Sequence, residues 1–158
     1  MLNRIPITAA GAAKLKAELE YLKKTARPNV VAAIAEAREK GDLSENAEYD
    51  AAREEQGHIE GRIAELEGKI PALQIIDPKE VAGDRIVFGA TVTLYSEDED
   101  VSVTYQIVGD DEADIKRNLI SVSSPIARAL IGREEGDTVK FMAPKGLVTF
   151  EVEAVEYI

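Results

Sequence analysis

Residues 41–50 read GDLSENAEYD, a polar stretch in which Gly41 is followed closely by the carboxylates of Asp42, Glu45 and Glu48. Glycine readily takes the left-handed backbone conformation that ends a helix, so Gly41 predicts the end of one helix. A short polar segment between two helices usually reverses the direction of the chain. This stretch therefore predicts a turn, and the sequence on either side of it indicates what the turn connects.

Apolar residues recur at steps of three and four on both sides of the turn, which is typical of helices that pack along a partner helix. The two sets are mirror images about a point near residue 44, so their members can face each other. We therefore predict an antiparallel coiled-coil hairpin with its tip at GDLSEN. The first seam is Leu15, Leu19, Leu22, Ala26, Val30, Ala33 and Ala37, and the second is Ala52, Gln56, Ile59, Ile63, Leu66, Ile70 and Leu73.

Three further residues predict where these helices begin or deform. Thr8 is a good N-cap for the first helix because its hydroxyl can accept a bond from a free backbone N–H. Proline removes a backbone donor and crowds the preceding turn, so Pro28 predicts a kink near residues 24–28 and Pro71 disturbs the end of the second helix. Arms of about 30 residues would reach on the order of 45 Å, at 1.5 Å per residue.

The acids of the turn have two interpretations that the sequence leaves open. Asp42 and Glu45 form the Asp-x-x-Glu pattern of a capping box, which would cap the second helix. The same two carboxylates are oxygen ligands of the kind that holds Mg²⁺ together with water. Asn46 and Tyr49 would pack the tip in the first interpretation, or would support the metal ligands in the second.

The composition excludes several classes of function. The 158 residues include no Cys and a single His, His58, so the chain can build neither a thiolate metal site nor a cluster of histidine ligands. A self-contained hydrolase is not expected. No stretch has the length and apolarity of a signal peptide or a membrane span, so we expect a soluble, cytoplasmic protein.

Charge differs between the two halves of the chain. Residues 1–76 carry 11 basic against 13 acidic side chains, whereas residues 77–158 carry 8 against 17, which together give the net charge of −11. The second half is therefore not expected to bind nucleic acid through its charge.

The periodicity changes after a linker at residues 77–84, DPKEVAGD, which is rich in turn-forming residues. Alternating apolar and polar residues predict two antiparallel strand pairs, and Ser124 followed by Pro125 predicts the start of a short helix that ends at Gly132. The predicted class is α+β, with a hairpin at 1–76, the tip at 42–49, the linker at 77–84 and a sheet domain at 85–158. The strand segments are ATVTLY at 90–95, VSVTYQI at 101–107, TVKFM at 138–142 and LVTFEVEAV at 147–155.

Motifs along nearly the whole chain resemble the bacterial Gre transcript-cleavage factors, of the GreA type. The resemblance implies that the hairpin enters the secondary channel of RNA polymerase and stimulates cleavage of a backtracked nascent RNA by the polymerase itself. It also implies an FKBP-like fold for the second half, which docks at the channel rim. The motifs are GDLSENAEYDAAREEQGHIEGRI at 41–63, AAIAEAREK at 32–40, FGATVT at 88–93, IVGDDEAD at 107–114 and SPIARALIG at 124–132.

The resemblance assigns expected roles to individual residues. Asp42 and Glu45 match the tip carboxylates that hold a Mg²⁺ ion shared with the polymerase, an ion that the free protein does not bind stably. The neighbouring positions Asn46 and Tyr49 match the family's tip residues. The candidates for contact with the RNA 3′ end are Arg38, Lys40 and Arg53, and those for polymerase docking are Ser124, Pro125 and Ile126.

Alternatives remain open at this point. Arg38, Lys40 and Arg53 could equally be an ordinary solvated helix face, and helix capping with core packing would explain Ser124, Pro125 and Ile126 as well. For the whole chain, the alternatives are a Gre-like competitor that occupies the channel without stimulating cleavage, a prolyl isomerase suggested by fold analogy, and a coiled-coil scaffold. We expect a monomer that activates the polymerase and is not an enzyme itself.

Overall fold

The computed structural model describes residues 4–41, 46–81 and 83–158. The described residues of 12–72 form one compact unit, called here the hairpin unit. Residues 4–11 and the described residues of 73–158 form a second, called here the sheet unit. Each unit has its own buried apolar cluster, and the predicted α+β class is confirmed. No helix in the described ranges is both long and apolar enough to span a bilayer.

The hairpin unit is built from three helices: α1 (Ala9–Tyr21), which begins in the sheet unit, α2 (Arg27–Glu39) and α3 (Ala47–Lys69). Helices α2 and α3 pack against each other in antiparallel directions, as predicted. The core of this unit is the buried cluster Val30, Ile59 and Ile63, with Leu19, Leu22 and Ala26 packed against it.

A π-helical turn, Leu22–Ala26, joins α1 to α2 and ends two residues before Pro28. The Arg27 N–H donates to the Leu22 carbonyl, five residues earlier, which is the bond that defines such a turn. The predicted distortion is therefore present. The prediction that Ala33 belongs to the seam is wrong, because Ala33 is exposed and Ile34 is buried in its place.

The second arm ends earlier than the apolar pattern predicted. Helix α3 ends at Lys69, and a 3₁₀ turn at Ile70–Ala72 contains Pro71, whose missing N–H cannot continue the helix. Leu73 does not continue the seam, since it begins strand β2 (Leu73–Ile76). This strand pairs in parallel with β1 (Ile5–Thr8), a pairing that the sequence analysis missed.

These two strands move the boundary between the units. The sequence predicts that residues 1–76 form the hairpin, but β1 and β2 pair with each other and β1 contacts β4, so both strands belong to the sheet unit. The predicted linker at 77–84, apart from residue 82, which lies outside the described residues, includes a 3₁₀ turn at Pro78–Glu80. Asp77 caps this turn by accepting a hydrogen bond from the Lys79 N–H at 3.0 Å.

The sheet unit contains a five-stranded, mostly antiparallel sheet in the order β5-β4-β3-β7-β6. Both predicted strand pairs are present, and the addition is β5, which pairs in parallel with β4. Helix α4 (Pro125–Leu130) contributes Ala127 and Leu130 to the core between helix and sheet. The strands are β3 (Thr91–Ser96), β4 (Val101–Val108), β5 (Leu119–Ser121), β6 (Thr138–Ala143) and β7 (Gly146–Glu156).

One carboxylate fixes the start of α1 within the sheet unit. Glu112 accepts hydrogen bonds from the Thr8 N–H at 3.0 Å and the Gly109 N–H at 2.9 Å, and also from the Thr8 hydroxyl. The same hydroxyl accepts a bond from the Gly11 N–H at 3.1 Å, which confirms Thr8 as the N-cap. A Cβ on Gly11 would overlap the Glu112 carboxylate, so a larger residue there would displace this side chain from its bonds to Thr8.

Candidate functional site

The candidate site is the end of the hairpin, where α2 stops and α3 begins. Helix α2 ends at Glu39 and is followed by Gly41, which has a φ of 115° and so confirms the predicted stop. Helix α3 begins at Ala47, with Asn46 as its N-cap: Asn46 Oδ1 accepts a hydrogen bond from the Tyr49 N–H at 3.1 Å. The capping interpretation of Asp42 is therefore corrected, because the cap of α3 is Asn46.

Asn46 also joins the two helix ends to each other. Its Nδ2 donates at 2.7 Å to the Ala37 carbonyl in the last turn of α2, which also accepts a bond from the Lys40 N–H at 3.2 Å. The half-buried amide thus satisfies a donor of one helix and an acceptor of the other. This arrangement fixes where the connecting segment leaves α2 and where it enters α3.

The two predicted metal ligands, Asp42 and Glu45, lie outside the described residues, so their predicted role stays a prediction. Their donor set fits Mg²⁺ in chemical type, because the ion prefers carboxylate oxygens and retains several waters. In the described ranges, no three acidic or histidine side chains come together in a way that could hold a metal ion.

Tyr49 lies one turn into α3 and faces the end of α2. The guanidinium of Arg38 lies over its ring, with Cζ 5.9 Å from the ring centroid, a cation–π contact across the two arms. Tyr49 is half-buried and Arg38 is exposed. The contact orients Arg38 without neutralising its charge.

The other two predicted RNA-contacting residues have different partners. Lys40 Nζ lies 2.9 Å from Glu48 Oε2, and this hydrogen bond raises the pKa of the Lys40 ammonium above its ordinary value. Arg53 donates to Gln56 Oε1 at 3.1 Å. All three basic residues are exposed, as predicted for a contact surface and equally for a solvated face. The Lys40–Glu48 pair was missed, although the mirror relation of the two arms places these residues opposite each other.

Ion pairs between the arms continue away from the tip. Arg27 binds Glu60 through two nitrogens, with Nε 2.9 Å from Oε1 and Nη2 2.9 Å from Oε2. Lys23 Nζ lies 3.2 Å from Glu67 Oε1. Because these pairs join α2 or the π turn to α3, they favour the observed register of α2 against α3.

The predicted docking residues surround the start of α4. Ser124 caps the helix: its Oγ accepts from the Ala127 N–H at 3.3 Å and donates to the Ser121 carbonyl at 2.7 Å. Ile126 packs against the core of the sheet unit, and Pro125 is exposed. The structural roles that the sequence analysis left open are thus present for Ser124 and Ile126.

The prolyl-isomerase alternative would need a pocket lined by aromatic side chains. An open cleft in the sheet unit is lined by Gly83, Asp84, Arg85, Val87 and Glu134, none of which is aromatic. Two of the aromatic side chains, Phe141 and Phe150, stack on each other with ring centroids 5.8 Å apart.

Comparisons with known proteins cover nearly the whole chain. A family model described as "Transcription elongation factor, N-terminal" matches residues 5–75, and one described as "Transcription elongation factor, GreA/GreB, C-term" matches residues 80–157. The chain is 63% identical over 158 residues to the protein named Transcription elongation factor GreA of Thioalkalivibrio sulfidiphilus, a match that covers 99% of this chain and 100% of that one.

A second relative with the same name, from Verminephrobacter eiseniae, is 60% identical over 157 residues, with 99% of each chain covered. Among solved structures, the GreA factor homolog 1 protein of Thermus thermophilus is 28% identical. That match covers 98% of this chain and 99% of the other, with a TM-score of 0.44.

Proposed function

Because the chain belongs to the GreA/GreB family of transcription elongation factors, we propose that it acts on bacterial RNA polymerase. The hairpin enters the polymerase's secondary channel and stimulates the polymerase's own cleavage of backtracked nascent RNA, so arrested complexes resume elongation. The chain is an activator of this hydrolysis and has no complete active site of its own. It acts as a monomer in the cytoplasm.

The observation that carries this proposal is that side chains bond the C-terminal end of α2 to the N-terminal end of α3. Asn46 bonds both helices, and the Lys40–Glu48 pair joins α2 to α3 on the exposed surface. Two helix ends that are bonded to each other in this way lose less conformational freedom when they enter a narrow channel than two free ends would. The hairpin therefore suits the delivery of a few side chains to an active site in another protein.

Asp42 and Glu45 are the residues that would hold the metal ion. A Mg²⁺ ion bound there together with the polymerase would supply the charge stabilisation and the activated water of a two-metal hydrolysis. The role of this chain is to bring carboxylate oxygens to the ion and to keep them at the end of the hairpin. Since Asn46 provides the cap of α3, Asp42 is not required for that purpose.

Arg38, Lys40 and Arg53 would contact the RNA 3′ end. Within the described residues neither arginine forms an ion pair, so both charges are available for phosphate, whereas Lys40 would have to leave Glu48. Lys40 is therefore expected to contribute less than the two arginines. In the sheet unit, Ser124, Pro125 and Ile126 form the proposed docking edge, with Pro125 as its exposed member.

The test separates metal delivery from folding. Asp42→Asn and Glu45→Gln remove a negative ligand while nearly preserving shape, and Asp50→Asn, an exposed acid in the first turn of α3, is the matched control. Cleavage is measured in halted RNA polymerase complexes with a backtracked transcript over a series of Mg²⁺ concentrations, and binding is measured in parallel.

We expect Asp42→Asn and Glu45→Gln to bind the polymerase like the wild type. The cleavage that they stimulate should be at least about tenfold slower and should be partly restored by high Mg²⁺. Asp50→Asn should behave as wild type. Equal stimulation by all four proteins would eliminate the metal role. Binding without stimulation by the wild type would instead identify a channel competitor.

A further inference from the structure

The end of the β6–β7 hairpin exposes an unusual amount of apolar side chain for the sheet unit. Met142 is 69% exposed and Leu147 is 60% exposed. The two residues are direct cross-strand partners, so their side chains emerge together on one face of the sheet. Lys140 lies one position further along that face, opposite Thr149, and Lys145 is in the turn. These four residues, Lys140, Met142, Lys145 and Leu147, are called here the β6–β7 surface.

The other face of strands β6 and β7 packs against the core of the sheet unit. Val139 is 2% exposed and pairs with Phe150, and Phe150 stacks on Phe141. Packing on this opposite face therefore fixes the position of the two strands that carry the exposed residues. A surface presented on an ordered pair of strands loses little conformational entropy when a partner binds it.

Charge distinguishes this surface from its surroundings. Residues 77–158 carry 8 basic against 17 acidic side chains, yet residues 138–149 contain two lysines and no acid. Neither Lys140 nor Lys145 forms an ion pair within the described part of the chain. On β7 the nearest acid in sequence is Glu151, which lies opposite Thr138. The β6–β7 surface is thus a locally basic, apolar area in an acidic unit.

An exposed apolar side chain beside a lysine does not by itself indicate a binding surface, because the sheet unit contains a second such pair in acidic surroundings. Ile115 is 64% exposed and is followed by Lys116, close to the opposite, β5 edge of the sheet. That site follows Asp110, Asp111, Glu112 and Asp114, so its surroundings are acidic. It provides a comparison with similar exposure and opposite local charge.

We propose that the β6–β7 surface is a contact for RNA polymerase that accepts a polymerase segment presenting carboxylates beside an apolar side chain. This inference rests on the proposed function, and it adds a contact separate from the predicted edge at Ser124, Pro125 and Ile126. Charge complementarity identifies the occupant, because the two unpaired ammonium groups require acids and Met142 with Leu147 requires an apolar partner. A nucleic acid would use the lysines but would leave the apolar pair uncovered.

The experiment measures binding of the full chain to immobilised bacterial core RNA polymerase at two salt concentrations. One variant combines Lys140→Glu with Lys145→Glu, and a second combines Met142→Ser with Leu147→Ser. The matched control combines Ile115→Ser with Lys116→Glu at the opposite edge. Circular dichroism and thermal unfolding verify that each variant is folded, and a double-stranded DNA fragment is the second probe.

We expect each β6–β7 variant to bind the polymerase roughly tenfold or more weakly, and the control to bind as the wild type does. The loss caused by the lysine changes should shrink as salt rises, while the loss caused by the Met142 and Leu147 changes should persist. Wild-type affinity in both variants would overturn this inference and leave the proposed function intact. Failure of the wild type to bind would overturn both, and a loss confined to DNA binding would assign the surface to nucleic acid and overturn the inference.

Discussion

Asn46 shows how a single amide side chain can serve two helices at once. Its Oδ1 caps α3 and its Nδ2 bonds the last turn of α2, at 3.1 Å and 2.7 Å respectively. Aspartate at this position would keep the capping acceptor but would turn a second oxygen toward the Ala37 carbonyl. Alanine would lose both bonds, so the two substitutions separate the two roles.

We expect Asn46→Ala to lower the free energy of unfolding of the hairpin unit by about 1–3 kcal/mol, and Asn46→Asp by about half of that. Urea unfolding followed by far-ultraviolet circular dichroism gives the values. Asn29→Ala is the control, because Asn29 is exposed on α2 and alanine there should stabilise slightly. An Asn46→Asp variant as unstable as Asn46→Ala would mean that the bond to Ala37 contributes nearly the whole effect.

The sequence could not identify this cap because the turn contains several residues that can cap a helix. Asp42, Ser44 and Asn46 are all good N-cap residues, and Asp42 with Glu45 completes the better-known pattern. The position of the first helical residue decides among them. That position depends on the packing of α3 against α2, which is tertiary information.

At the level of elements, the hairpin could be predicted because apolar periodicity reports directly on helix packing. The predicted seam includes the buried Val30 and Ala37, and its error is confined to the position between them, where the step after Val30 is four residues, to Ile34, and not three, to Ala33. Strict alternation of four and three from Leu15 would lead to residues 29, 33 and 36, so the buried residues lie one position later than that alternation. A π turn adds one residue to a helix, and the turn at Leu22–Ala26 accounts for this difference.

The Glu18–Arg62 pair joins α1 to α3 and makes the hairpin unit sensitive to pH. Arg62 Nε lies 2.7 Å from Glu18 Oε2, and Nη2 lies 2.9 Å from Oε1. The hydrogen bonds from Arg62 lower the pKa of Glu18 below its ordinary value, although partial burial acts in the opposite direction. The folded state therefore binds this proton less readily than the unfolded state. The stabilisation is complete above the unfolded pKa and is lost as pH falls through the folded value.

We expect Glu18→Gln to lower the free energy of unfolding by about 1 kcal/mol or less at neutral pH, since both side chains are about one-third exposed. The difference from the wild type should shrink as pH falls through the lowered pKa of Glu18, because the folded wild-type carboxylate then becomes protonated and loses its charge. Urea titrations at a series of pH values measure it. Glu55→Gln is the control, because Glu55 is exposed and forms no ion pair in the described ranges; a difference that grows at low pH would contradict the assignment.

At the scale of the whole molecule, the division into units was the part least accessible to sequence. Strands β1 and β2 have four residues each and pair in parallel across nearly 70 residues of chain. Segments this short carry little periodic signal, and nothing local indicates which distant segment they pair with. The apolar pattern of the second arm also continues through Leu73, which made residues 70–76 look helical. Long helices and the antiparallel strand pairs, whose partners are close in sequence, were correctly predicted.

The division into units makes a prediction about two buried isoleucines. Ile7, 1% exposed, is in β1, and Ile63, 4% exposed, is in α3. Replacing either by alanine should cost about 2–5 kcal/mol, because the side chain leaves a cavity in a packed region. Strand β1 contacts β2, β4 and the turn Asp110–Glu112, so Ile7→Ala should loosen those segments, whereas Ile63→Ala should loosen α2 and α3.

Hydrogen exchange read by mass spectrometry can resolve the two responses within one chain. We expect Ile7→Ala to increase exchange in residues 73–76 and 105–112 with little change in 27–39, and Ile63→Ala to produce the reverse pattern. Each variant thus controls for the other, since both remove the same atoms from a buried site. If Ile7→Ala instead increased exchange mainly in residues 27–39, strand β1 would belong to the hairpin. That result would support the boundary at residue 76 that the sequence predicts.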